Sequence, residues 1–135
     1  MKDALIFDTS VWINFLNNKN TPAVELLETY ISEDAEVLIT PTILQEVLQG
    51  IRDDRKYSQI KEALSAFRLL EIPAYQAAIG AAELFRSLRK HGVTIRKSND
   101  CLIAYFALWF AVPLVHNDRD FDAMVGHTEL LVWEG

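Results

Sequence analysis

The sequence predicts an α/β domain of three layers, α/β/α, around a mainly parallel central sheet of four to five strands. Three observations carry this. Short, mainly apolar runs, such as Ala4-Leu5-Ile6-Phe7 and Glu36-Val37-Leu38-Ile39-Thr40, read as strands, the first too apolar to be half exposed. Longer stretches with apolar residues at helical spacing lie between those runs, and polar or proline caps mark where the helices start. The repeated strand–helix alternation then favours one sheet with helices on both faces.

Each element has its own warrant. Ala4–Phe7 is the first strand, and Thr9-Ser10 can cap a helix through Val11-Trp12-Ile13-Asn14-Phe15-Leu16. Asn17-Asn18-Lys19-Asn20 is a polar turn. Thr21-Pro22 starts the next helix with a cap residue and a proline at the first position, and Val24, Leu27 and Ile31 give it an apolar face. Glu36–Thr40 is the second strand. Thr40-Pro41-Thr42 opens a helix over Ile43–Gln49 that Gly50 can end. Asp53–Arg68 is helical, with Ile60, Ala63, Leu64 and Phe67 on one side, and Leu69–Ile72 is a third strand stopped by Pro73. Ala74–His91 is a helix whose apolar side is read as Ala78, Ala81, Phe85 and Leu88, with Gly92 just beyond. Ser98-Asn99-Asp100 begins a helix through Ala111, Pro113–His116 is the fourth strand, and Asn117–Phe121 a charged loop. A short helix and a last strand, Leu130–Trp133, complete the pattern, and the whole chain, 1–135, reads as one domain.

Composition narrows the function. Half of the residues are hydrophobic and 24% are charged, the balance of a globular chain. A net charge of −6 argues against broad, sequence-independent nucleic-acid binding, which needs a cationic surface, but leaves room for a local basic groove. Cys101, the single cysteine, cannot form an internal disulfide, which points to a reducing compartment. The run from Cys101 to Val112 is too short to span a bilayer, and the N-terminal apolar run is too short for a signal peptide. A cytoplasmic location is therefore expected.

Four acids occupy matching places. Asp8 and Asp118 each follow a buried strand; Glu46 and Asp100 each lie in or near the first turn of a helix. In right-handed β-α units these places converge on the carboxyl edge of the sheet, where open α/β sheets bind ligands. Unpaired carboxylates about 4 Å apart repel by roughly 4 kcal/mol at an effective dielectric near 20. A hard divalent cation relieves that repulsion, and oxygen-only ligands suit Mg²⁺ or Mn²⁺. No histidine or cysteine pair has the spacing of a zinc site.

These residues carry a resemblance. Leu5-Ile6-Phe7-Asp8-Thr9-Ser10-Val11-Trp12-Ile13, Glu46 in a helix after Pro41-Thr42, Asn99-Asp100-Cys101-Leu102-Ile103-Ala104 and Asn117-Asp118-Arg119-Asp120-Phe121 resemble, in order, the motifs of PIN-domain ribonucleases, and most of all the VapC-type toxins of toxin–antitoxin pairs. The resemblance implies a PIN-like fold and metal-dependent endoribonuclease activity that leaves 5′-phosphate and 3′-hydroxyl ends. Asp8, Glu46, Asp100 and Asp118 would be the catalytic, metal-binding carboxylates, Asp120 a companion ligating through water, and Ser10, with Thr9 beside it, the hydroxyl support of the first aspartate. His116 stands where many relatives carry threonine or asparagine. The resemblance further implies a transfer-RNA or ribosomal-RNA loop as substrate, an antitoxin as inhibitory partner, and a homodimer. The antitoxin would bind apolar surface near Trp12, Phe15 and Leu48 and push a basic side chain into the acidic pocket.

An acidic nuclease needs a path for a polyanion. Ten of the thirteen Lys and Arg fall in two windows, and the second, Arg86 to Lys97, contains no acid. Arg86, Arg89, Lys90, Arg96 and Lys97 are thus the candidate RNA contacts. Two other enzyme and signalling classes fit less well. A haloacid-dehalogenase-type phosphotransferase needs a second aspartate where Ser10 stands, and a receiver domain needs an early acidic pair and a late lysine. A PIN-fold scaffold with an idle site is the remaining alternative, and intact acids at all four motifs oppose it.

Overall fold

A computed structural model describes residues 2–135. Four short strands, β1 (Leu5–Phe7), β2 (Val37–Ile39), β3 (Arg68–Leu69) and β4 (Leu114–Val115), form one all-parallel sheet in the order β3-β2-β1-β4. Among the described residues seven helices surround it: α1 (Thr9–Leu16), α2 (Pro22–Ser32), α3 (Pro41–Gln49), α4 (Asp54–Leu64), α5 (Ala74–Lys90), α6 (Ser98–Phe110) and α7 (Arg119–Val125). The chain moves outward from β1 to β2 to β3 and then returns to add β4 on the other side of β1. That reversal places a crevice between the carboxyl ends of β1 and β4, where such sheets hold ligands.

Strands β1, β2 and β4 are wholly buried, which explains why they read as apolar runs. Ile6, Phe7, Ile39, Leu114 and Val115 form the centre of the core, with Val11 and Trp12 of α1, Leu27 of α2, Ile43 of α3, Ile103 of α6 and Phe121 of α7 packed around them. The expected caps hold at α2 and α3, where the Thr21 and Thr40 hydroxyls accept from the Val24 and Ile43 amides.

Several sequence expectations shift. Thr9 and Ser10 lie inside α1, and Asp8 is its cap, accepting from the Ser10 amide. Strand β3 pairs earlier than expected, because the three residues of β2 offer ladder positions only as far as Leu70, whose amide donates to Ile39. The inward side of α5 is the expected one, slightly rotated: Leu88 is buried and Ala81 and Phe85 pack against the core, while Ala77 and Gly80 are buried and Ala78 is exposed. Gly80 decides this, since a Cβ there would run into the Tyr105 ring of α6, so that glycine lets the two helices approach. The charged segment after Asn117 is the start of α7 rather than a loop. Its inward residues, Phe121 and Met124, recover burial that the acids alone do not suggest. The expected last strand is reduced to one bridge from Val132 to Leu114. Among the described residues, no helix is long and apolar enough to cross a membrane.

Candidate active site

Asp8 leaves β1 directly, and its amide donates to Val115 of β4 at 2.8 Å, which ties the two strand ends together. Its Oδ2 accepts from the Ser10 hydroxyl at 2.8 Å. The side chain is only 5% exposed. Burial pushes its carboxyl above the usual range; the two Ser10 donors oppose that shift, and the Glu46 charge adds to it.

Glu46 enters from α3, the helix that follows β2. Its Oε1 accepts from the Thr9 hydroxyl at 2.7 Å and its Oε2 from the Asn99 amide nitrogen at 3.3 Å. Consecutive hydroxyls on α1 thus serve two acids, Thr9 holding Glu46 and Ser10 holding Asp8. The sequence places Asn99 at a polar helix start and in the third motif, without a role of its own. Its partner lies 53 positions away, so no local pattern announces the contact.

Asp100, in the first turn of α6, completes the inner wall. It is 6% exposed, and its Oδ2 is buried with no hydrogen-bond partner among the described residues. Burial pushes its carboxyl up to about 7; the charges of Asp8 and Asp118 add to the shift and Lys97 opposes it. The neighbouring Cys101 thiol is pushed up to about 11, chiefly by burial, which leaves it a small core residue rather than a nucleophile.

Asp118 caps α7, its Oδ1 accepting from the Asp120 amide at 2.9 Å, while its own amide donates to His116 Nδ1 at 3.0 Å. His116 therefore braces the turn that carries Asp118, a role its place at a strand end did not reveal. Asp100, Asp118 and Asp120 each present an oxygen within 4.8 Å of the others. Arg96 lies across two of them, its terminal nitrogen 3.4 Å from Asp118 Oδ1 and its Nε 3.3 Å from Asp120 Oδ2.

The structure thus brings Asp100, Asp118 and Asp120 into one tight group. Asp8 stands beside that group, close enough for its charge to act on Asp100, and Glu46 lies next to Asp8 with both oxygens engaged. Of the basic candidates, Arg96 alone forms ion pairs with these acids. Arg86 lines a hollow between α5 and α6 that Asn99 also lines, and Arg89 lies over the Phe85 ring. Every ligand atom in the acidic group is a hard carboxylate oxygen, and the buried Asp100 Oδ2 has no hydrogen-bond partner among the described residues. The residues therefore fit Mg²⁺ or Mn²⁺.

A model of the PIN domain family matches residues 5–126. The chain belongs to the PIN-domain family. Ribonuclease VapC11 of Mycobacterium tuberculosis is 30% identical to this PIN domain, over 93% of the chain and 95% of that protein. Ribonuclease VapC51 of the same organism is also 30% identical, over 91% and 86%. Among solved structures, VapBC2 from Rickettsia felis, bound to a DNA fragment from its promoter, aligns with a TM-score of 0.73 at 20% identity and covers 97% of this chain and 99% of its own. VapBC-1 from nontypeable Haemophilus influenzae aligns with a TM-score of 0.74 at 18% identity, covering 97% of each chain. VapBC-5 from M. tuberculosis, a member of a family of toxin–antitoxin systems, aligns with a TM-score of 0.67 at 22% identity, covering 97% and 98%. The fold expected from the sequence, a PIN-like three-layer domain on a parallel sheet, is the fold these structures share.

Proposed function

We propose that this PIN domain is a metal-dependent endoribonuclease, the toxin of a VapBC-type pair, which hydrolyses phosphodiester bonds in structured RNA. One observation carries the reading: Asp100 is buried, unpartnered at Oδ2 and pushed up to about 7, at the sheet edge where Asp8 and Asp118 converge. A structural carboxylate would be satisfied by donors, whereas this one is kept in want of a cation. The identity to VapC ribonucleases supports the same reading.

Asp8, Asp100 and Asp118 would hold the ion, with Asp120 beside them. Mg²⁺ or Mn²⁺, when bound there, lowers the pKa of a water and neutralises charge developing on the phosphate. The chain's own residues do the rest. Ser10 fixes the Asp8 rotamer through its hydroxyl, and Thr9 with Asn99 holds Glu46 as the outer wall of the cup. The N-termini of α1, α6 and α7 all open on the site, so their backbone dipoles favour the anions gathered there.

Single-stranded loops of transfer RNA or ribosomal RNA are the proposed targets, since splayed bases can be read there. The proposed inhibitor is an antitoxin. Trp12, expected to help bind it, is 2% exposed and serves the core instead. The apolar surface lies nearby, in a hollow of about 670 Å³ lined by Leu44 and Leu48 of α3, Tyr57 and Leu64 of α4, and Phe67. Exposed Trp109 and Phe110 of α6, with Tyr75 and Ile79 of α5, supply surface for the proposed homodimer. The proposed location is the cytoplasm.

The test is incubation of purified protein with total RNA and Mn²⁺ or Mg²⁺, with and without EDTA, beside Asp8→Asn and Asp100→Asn. Discrete cleavage by the wild type alone, abolished by EDTA, is the expected result. Cleavage that survives EDTA, or persists in both variants, would overturn the reading.

A further inference from the structure

Arg96 sits in a position that the proposed chemistry does not explain. Its backbone amide and its Nε both donate to Asp120 Oδ2, at 3.2 and 3.3 Å, and its terminal nitrogen donates to Asp118 Oδ1 at 3.4 Å. These contacts are longer than the roughly 2.7–2.9 Å of a well-made ionic hydrogen bond. The guanidinium side chain is 60% exposed, while the two acids it meets are only 15% and 14% exposed. A solvated cation therefore reaches inward to partly buried anions and grips them loosely. Its side chain makes two of the five donor contacts that a guanidinium offers.

We propose that Arg96 is the acid cluster's internal counter-ion: it lies across Asp118 and Asp120 while no divalent ion is held, and is released toward a substrate phosphate when one is, with Asp120 the residue that positions it. The inference rests on the nuclease reading above. An ion held by Asp118 competes with the guanidinium for the same negative charge. The Asp120 contact to the Arg96 backbone survives that competition, because it does not involve the guanidinium, so the arginine stays beside the site when its terminal nitrogen is freed. Planar and permanently charged, it then matches a phosphate. Lys97 takes the other share of the compensation, acting on Asp100, whereas Arg86, Arg89 and Lys90 form no ion pair with these acids.

Coupling of this kind is reciprocal: what the ion does to the hold of Arg96, Arg96 does to ion binding. The test is calorimetric titration of Mn²⁺ into wild type, Arg96→Gln, Arg96→Lys and Asp120→Asn. Binding of a short fluorescent oligodeoxythymidine is measured in parallel, in Mn²⁺ and in EDTA. Arg96→Gln is expected to bind Mn²⁺ about two- to fivefold more tightly. With Mn²⁺ present it binds the oligonucleotide about fivefold to tenfold more weakly, and in EDTA no differently from wild type. Its slope of log affinity against log salt is shallower by about 0.7, the signature of one lost phosphate contact. Arg96→Lys keeps the salt slope. Asp120→Asn binds the oligonucleotide as weakly as Arg96→Gln.

Equal or weaker Mn²⁺ binding by Arg96→Gln, or an oligonucleotide effect of equal size in EDTA, overturns the proposal. Oligonucleotide binding by Asp120→Asn as tight as that of the wild type overturns the positioning role of Asp120. If the wild type binds Mn²⁺ and cuts RNA while Arg96→Gln is indistinguishable from it, this inference alone falls. If the wild type neither binds Mn²⁺ nor cuts RNA, the nuclease reading falls with it.

Discussion

The two sides of the acidic cup are built in opposite ways. On one side Asp8 and Glu46 are satisfied by neutral donors, Ser10 for the first and Thr9 with Asn99 for the second. On the other, Asp100 keeps a buried oxygen without a partner, and Asp118 and Asp120 are met by an exposed arginine at long range. The first side is a fixed scaffold, rigid before anything binds. The second stores unfavourable charge that only a cation relieves, at some cost to the stability of the metal-free fold. The difference separates carboxylates whose positions are fixed by neutral donors from carboxylates whose charge is left for a cation to relieve.

The sharpest break of that contrast is Asp100→Asn. It is expected to lower RNA cleavage by on the order of 10³-fold, while raising the melting temperature of the metal-free protein by about 2–6 °C at pH near 8. Paired kinetics and thermal unfolding check both halves. A variant that is inactive and also less stable would place Asp100 on the scaffold side.

pH gives the same contrast without mutation. The folded-state pKa of Asp100 lies near 7, above the ordinary carboxylate value of 3.8, and that of Asp8 is raised too. The native state therefore holds more protons than the unfolded state between those limits. The stability these groups contribute is fully present below about pH 4 and is lost as pH rises through about 7. Metal-free protein is expected to melt at a lower temperature at about pH 8 than at about pH 5, with Mn²⁺ restoring the loss only at the higher pH. Thermal unfolding with EDTA or Mn²⁺ at the two pH values measures it.

On the scaffold side the sign reverses. Ser10→Ala leaves a buried Asp8 oxygen short of its donor and is expected to cost about 1 kcal/mol, read from denaturant unfolding. Thr9→Val and Asn99→Ala free Glu46, and each is expected to reduce cleavage by about tenfold with little change in Mn²⁺ affinity, checked by steady-state rates beside calorimetry. The smallest effect belongs to Arg96→Gln, whose loose, exposed contacts predict a change in unfolding free energy below about 0.5 kcal/mol.

The sequence exposes these two sides unequally. Buried parallel strands announce themselves because both faces are apolar, and Thr21-Pro22 and Thr40-Pro41 mark their helices with side chains that do what such residues do at any helix start. The four acids are legible because each follows a strand or opens a helix. The other features arise from tertiary context. Asn99 bonds a residue on a distant helix. The inward side of α5 is fixed by the place where Tyr105 needs room. Around the start of α7, four polar residues, Asn117-Asp118-Arg119-Asp120, mask a helix whose burial comes from Phe121 and Met124. Arg96 reads as one more basic residue until the β4–α7 turn brings Asp118 and Asp120 beneath it.

The central claim is that a buried, proton-hungry carboxylate waits for a divalent ion, and proton release on ion binding tests it most directly. Calorimetric titration of Mn²⁺ into metal-free protein, in buffers of different ionisation heat, counts the protons displaced. At about pH 6 the account expects release of up to about one proton per ion, fading by about pH 8.5 and absent from Asp100→Asn. Binding that displaces no proton at either pH, or that is identical in Asp100→Asn, would contradict it.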